Sequence, residues 1–91
     1  MAYQIEEEVL LELELDAVPM CDLVIYNDEV NTFEHVIATL ISVCKHSSEQ
    51  AEQCTIIIHF KGKCGVKKGS YADLMPYRTA LCDRGLSAEI C

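Results

Sequence analysis

At 91 residues, 51% of them hydrophobic, the chain can build one small domain with a core of its own, so disorder is not the default expectation. Its formal net charge of −8 is lopsided: residues 1–44 hold ten Asp and Glu and no Lys or Arg, while the rest hold five acids and all seven basic residues. An acidic front half excludes phosphate neutralisation through that surface, so no nucleic-acid partner is expected, and a cationic partner suits it better.

In chain order, "MAYQIEEE" is acidic where a secretory leader would be basic, and no apolar run approaches the ~18 residues of a membrane span. Neither a targeting segment nor a membrane partner is expected, and the expected location is the cytoplasm. Residues 1–20 form an N-terminal extension to a core over 21–91. Within it "VLLELELD" alternates apolar and acidic residues, a strand period, although glutamate is a better helix former, and Pro19 ends whatever forms. "CDLVIYN" is a short β-branched apolar run that stops at Asn27-Asp28, hence a strand. "NTFEHVIATLISVCKH" places Phe33, Val36, Ile37, Leu40 and Val43/Cys44 on one helical face, with either Asn31 (Glu34 at its N3) or Thr32 as the cap.

"SSEQAEQ" starts a short second helix from Ser47 with Gln50 at N3. "CTIIIHF" has the β-branched content of a strand, closed by His59. "KGKCGVKKG" is a glycine-punctuated turn in which Lys61, Lys63, Lys67 and Lys68 face solvent. "SYADLMPYRTALCDRG" is a third helix with Ser70 as N-cap, Asp73 at N3 and Gly85 as the stop; Pro76 should bend it or delay its first turns. "LSAEI" is a last strand. The predicted class is α+β, in the order strand, helix, helix, strand, helix, strand.

Six cysteines at 21, 44, 54, 64, 82 and 91 include no CxxC pair. In apolar settings such as "LISVC" and "TALC" they are expected to be reduced core residues. A metal site from Cys44, His46, Cys54, His59 or Cys64 lacks zinc spacing, so neither a metal nor another cofactor is expected. Enzyme motifs are absent: there is no GxSxG, no HExxH, and "GKCGVKKGS" lacks the phosphate-loop order. A Cys64–His59 nucleophile pair is what chance supplies in a chain with this many cysteines.

One group carries more chemistry. Asn27 offers an acceptor and two donors, Asp28 an anionic acceptor, and His59 a ring nitrogen that accepts when neutral. Converging, they suit a small ammonium, such as a peptide α-amine with its pKa of about 8. Phe33, Val36 and Ile58 would line a hollow beside it. The plainer reading stands next to this one: Asn-Asp after a strand is ordinary turn chemistry, and a histidine at a strand end is usually satisfied locally.

"VIYNDEVNTFEHVIATL" followed by "IIHFKGKCGV" resembles the ClpS adaptor family, without a gap from about Asp22 to Lys63 and with shorter loops on to Ile90. The resemblance implies a three-stranded antiparallel sheet packed against helices, behind a flexible extension. It further implies an adaptor, not an enzyme, that acts as a monomer. Such an adaptor binds N-degron substrates by the free α-amine and bulky first side chain (Leu, Phe, Tyr or Trp). It delivers them to a Clp AAA+ unfoldase of the ClpA type. By position, Asn27, Asp28 and His59 would hold the amine, and Ile25, Asn31, Phe33, Val36, Thr55 and Ile58 would shape the side-chain pocket.

The chain departs from the family pattern in places. Thr32 replaces a usual proline, and Phe33 and Thr55 replace methionines, so a rigid ring could narrow the pocket and a shorter side chain could enlarge it. Ser70 and Met75 stand roughly where the family carries an acid and a lysine that contact the unfoldase, after a turn about two residues shorter. The alternative is therefore a divergent peptide-binding module that no longer docks on that partner.

Overall fold

The structure, a computed structural model, describes residues 19–91. The predicted extension, with its alternating "VLLELELD", lies outside the described residues except for Pro19 and Met20. In chain order the elements are strand β1 (Cys21–Tyr26), helices α1 (Phe33–Cys44) and α2 (Ser48–Lys61), strand β2 (Lys63–Gly69), helix α3 (Tyr71–Asp83) and strand β3 (Ser87–Ile90). All strand pairs are antiparallel in the order β2-β1-β3, so the first strand is the central one. This is the α+β fold expected from the sequence, with three helices packed against three strands.

Helix α1 begins at Thr32, whose extended backbone (φ −78°, ψ 160°) lets its hydroxyl accept from the His35 amide at 3.2 Å. Thr32, not Asn31, is the cap. The predicted face is the buried one: Val36, Leu40 and Cys44 enter the core, Ile37 and Val43 pack against it, and Phe33 stays 42% exposed. Lys45 in the left-handed region (φ 59°) ends the helix by returning its N–H to the Leu40 carbonyl.

Residues 54–60, expected as a strand, instead continue α2, which is a 14-residue helix and not a short one. Capping and packing decide this against local preference. Ser47 accepts from the Gln50 amide at 3.1 Å, Gly62 (φ 88°) closes the other end, and Ala51, Cys54, Thr55 and Ile58 form a buried i, i+3, i+4, i+7 stripe. The β-branched Ile56 and Ile57 fall off that stripe and stay about two-fifths exposed. Burial of one face outweighs the small helix penalty of β-branching.

The glycine-rich segment is likewise a strand, not a turn. β2 pairs with the whole of β1, and only Gly62 serves as the turn. Lys61 ends α2, while Lys63, Lys67 and Lys68 lie on β2, Lys67 with its ammonium 4.7 Å from the Tyr77 ring centre. A bulge inserts Val66 between the partners of Leu23 and Val24, and its carbonyl accepts from His46 Nε2 at 2.9 Å. Helix α3 starts on Ser70 as predicted, six residues ahead of Pro76, so proline does not delay it, and Gly85 (φ 87°) follows its end.

Leu23 and Ile25 of β1, Leu40 of α1, and Leu74 and Leu81 of α3 are at most 1% exposed and join the sheet and the helices in one core. Leu40→Ala should cost about 2–5 kcal/mol in urea unfolding, against less than about 1 kcal/mol for half-exposed Ile56→Ala. Equal losses at the two positions would contradict this assignment of the core.

Candidate functional site

The end of β1 is tied to the end of α2. The Asn27 amide donates to the Gly62 carbonyl at 2.8 Å, and Tyr26 and Ile25 pair with Lys63 and Cys64. His59 sits one turn before Gly62, in the last turn of α2 and not at a strand end. That tie brings Asn27 and His59 to the mouth of one hollow of about 390 Å³. All nine residues named from the sequence for the amine site and side-chain pocket line it: Asn27, Asp28 and His59 with Ile25, Asn31, Phe33, Val36, Thr55 and Ile58. Ile58 reaches it from the helix, not from a strand.

The polar residues divide into committed and free. Asp28 Oδ1 accepts from the amides of Val30 at 2.8 Å and Asn31 at 3.3 Å; Oδ2 accepts from Asn31 Nδ2 at 3.0 Å and from the Ser87 hydroxyl at 3.4 Å. A carboxylate has about four lone-pair directions, so Asp28 is largely spent within the protein. Its charge remains beside the hollow, but the expectation of three acceptors equally open to a ligand does not hold. The Asn27 carboxamide and the His59 ring are exposed and engaged by no hydrogen bond among the described residues.

Asn31 is a brace as well as a wall. Its Nδ2 donates to Asp28 and, at 2.9 Å, to the Gly85 carbonyl, while His35 Nε2 donates to the neighbouring Arg84 carbonyl at 2.8 Å. The turn after α3 is thereby held against the start of α1, and buried Leu86 becomes part of the hollow. Sequence reasoning missed Leu86, Tyr26, Glu29 and Thr32 as lining residues. For Leu86 the available signal was an apolar residue directly after the helix-ending glycine.

Phe33 stands edge-on to His59, with ring centres 5.2 Å apart at 76°. Thr55, 2% exposed, donates its hydroxyl to the Ala51 carbonyl at 2.7 Å, which removes its one polar hydrogen from the hollow. Ser70 and Met75 lie apart from it on the α3 side; the Ser70 hydroxyl caps the helix by accepting from the Asp73 amide at 3.1 Å.

All six cysteines are free thiols. Cys44 and Cys54 are buried, Cys21 and Cys64 half-buried, and Cys82 and Cys91 exposed, so the core role predicted for Cys82 is not what the structure shows. Burial, with the Cys64 and Cys44 thiols nearby, pushes Cys54 up to about 11, and burial also raises Cys44. Such thiols are poor nucleophiles at neutral pH. Among the described residues no three His, Cys, Asp or Glu side chains gather as metal ligands.

The family model described as "ATP-dependent Clp protease adaptor protein ClpS" matches residues 16–89. The chain belongs to the ClpS family. The ATP-dependent Clp protease adapter protein ClpS of Nitratidesulfovibrio vulgaris is 30% identical over 70 residues, 75% of this chain and 70% of that protein. Its namesake in Oleidesulfovibrio alaskensis is 33% identical over 70 residues, 75% of this chain and 67% of that protein. Among solved structures, Agrobacterium tumefaciens ClpS2 bound to L-phenylalaninamide superposes with a TM-score of 0.71 at 16% identity. It covers 81% of this chain and 99% of its own, which establishes a shared fold.

If Asn31 braces the site, Asn31→Ala should lower stability by about 1–2 kcal/mol for its two hydrogen bonds. Asn31→Asp should cost more at neutral pH, because it sets an acceptor against both Asp28 and the Gly85 carbonyl. Urea unfolding measures both, and a wild-type midpoint for Asn31→Asp would contradict the brace.

Proposed function

We propose that this ClpS-family protein binds the first residue of a peptide chain in the hollow and delivers such N-degron substrates to a Clp AAA+ unfoldase of the ClpA type. The observation that carries the reading is the pair of unengaged acceptors, the Asn27 carboxamide and the His59 ring, at the mouth of an apolar-walled hollow. A charged α-amine brings three donors to them. The fixed carboxylate of Asp28, with exposed Glu29 beside it, supplies negative potential without having to reorganise.

The side chain of the first residue would enter between Ile25, Phe33, Val36, Thr55, Ile58 and Leu86. A volume of about 390 Å³ falls in the range of small-ligand sites, about 300–1,000 Å³. Phe33 gives one rigid wall and Thr55 a short one, an arrangement suited to bulky first residues. L-phenylalaninamide, the compound bound by the Agrobacterium relative, is an amino-terminal phenylalanine reduced to a single residue, which supports the same reading. On this reading the protein acts as a monomer in the cytoplasm and catalyses nothing itself.

Delivery is the separable half of the proposal. Ser70 spends its hydroxyl on capping α3, and half-buried Met75 offers no charge, so neither supplies an electrostatic contact for an unfoldase. That favours, as a second reading, a module that keeps peptide binding and has lost this docking.

Fluorescence anisotropy with labelled peptides beginning Phe, Leu, Tyr or Trp should show saturable binding that N-acetylation abolishes. Asn27→Ala and His59→Ala should each weaken it about tenfold or more, the loss of a hydrogen bond to a charged group. Binding that survives acetylation or both substitutions would overturn the amine site. A Phe-initiated reporter degraded faster by a Clp unfoldase–protease when the protein is added supports delivery; binding without acceleration supports the second reading.

A further inference from the structure

Among the described residues the exposed His59 ring makes no hydrogen bond, and two aromatic rings stand against its imidazole. Phe33 of α1 meets it at 5.2 Å and 76°, and Phe60, its neighbour on α2, meets it at 5.3 Å and 79°. Phe60 is 79% exposed and is not one of the residues lining the hollow, so neither core packing nor ligand contact accounts for a phenylalanine there. The contact the structure gives its ring is the one with His59.

We propose that Phe60 is a positioning residue for amine recognition: with Phe33 it clamps the His59 imidazole edge-on and fixes the orientation in which a ring nitrogen faces the mouth of the hollow. The inference rests on the amine-site reading above. A histidine without this clamp samples several side-chain rotamers, and a ligand must then restrict it on binding. An edge-to-face pair contributes about a two- to tenfold bias toward the clamped state. Phe33 alone supplies one contact, and its position at the start of α1 ties it to the first helix; Phe60 travels with His59 on the same helix and preserves the ring's orientation relative to α2.

The test is a double-substitution cycle in the full chain, read by anisotropy with a Phe-initiated peptide. Phe60→Ala should weaken binding about two- to tenfold, and Phe60→Tyr, which keeps an aromatic edge, should restore it. In a His59→Ala background, Phe60→Ala should add no further loss. The same loss in both backgrounds, or no loss in either, would overturn the proposal, because Phe60 would then act on the peptide or on nothing. Failure of the unsubstituted protein to bind any free-amine peptide would instead sink the amine site. In that event the positioning claim is still decided by NMR of the free protein: Phe60→Leu should shift the His59 ring resonances and remove cross-relaxation between the two rings, and unchanged spectra would refute it.

Discussion

The hydrogen bond from the Asn27 amide to the Gly62 carbonyl, 2.8 Å long, joins the end of the central strand to the end of the second helix, and the candidate site depends on it. Gly62 can accept it while sitting at φ 88°, a left-handed conformation that costs glycine little and a β-carbon-bearing residue more. The same residue stops α2 by returning its N–H to Ile58. One glycine therefore ends a helix, starts β2, and sets the distance between Asn27 and His59. Register does the rest, since pairing of Tyr26 with both Lys63 and Ser87 brings the two flanking strands to the same end of β1.

Around that junction the polar groups divide the labour. Asp28, Asn31 and His35 spend hydrogen bonds within the protein and hold the loop after β1, the turn after α3 and the start of α1 as one body. Asn27 and His59 make no side-chain hydrogen bonds among the described residues, which is why the proposed ligand contacts fall to them. A carboxylate fixed by hydrogen-bond donors lends its charge without moving, and apolar walls keep the field from being screened as fully as on open surface. The acid excess noted in the first half of the sequence thus has a local consequence as well as a global one.

Much of this was legible in the sequence. The helix caps at Ser47 and Ser70 follow from short-range chemistry, which left Asn31 and Thr32 as alternatives at α1, and the buried face of α1 follows from its periodicity. The nine residues that family resemblance pointed to stand around one hollow in the structure. The failures have a common cause. Thr55 to Ile58 is β-branched throughout, so local preference pointed to a strand, while the helix is imposed by a buried stripe that includes Ala51 and Cys54 upstream. The lysine- and glycine-rich β2 has little strand character of its own and is ordered by its pairing with β1. Three of Asp28's four hydrogen bonds come from Val30 and Asn31 beside it, the ordinary turn chemistry that the sequence offered, and only the Ser87 hydroxyl, 59 residues away, was illegible.

The most direct test of an amine-binding hollow is an NMR titration of the free protein with L-phenylalaninamide and, separately, with its N-acetyl derivative. The account predicts saturable shifts confined to residues around the hollow, Asn27, Phe33, Val36, Thr55, Ile58 and His59 among them, for the free amine alone. Equal shifts from both compounds, or shifts centred on the lysine-bearing face of β2, would contradict it.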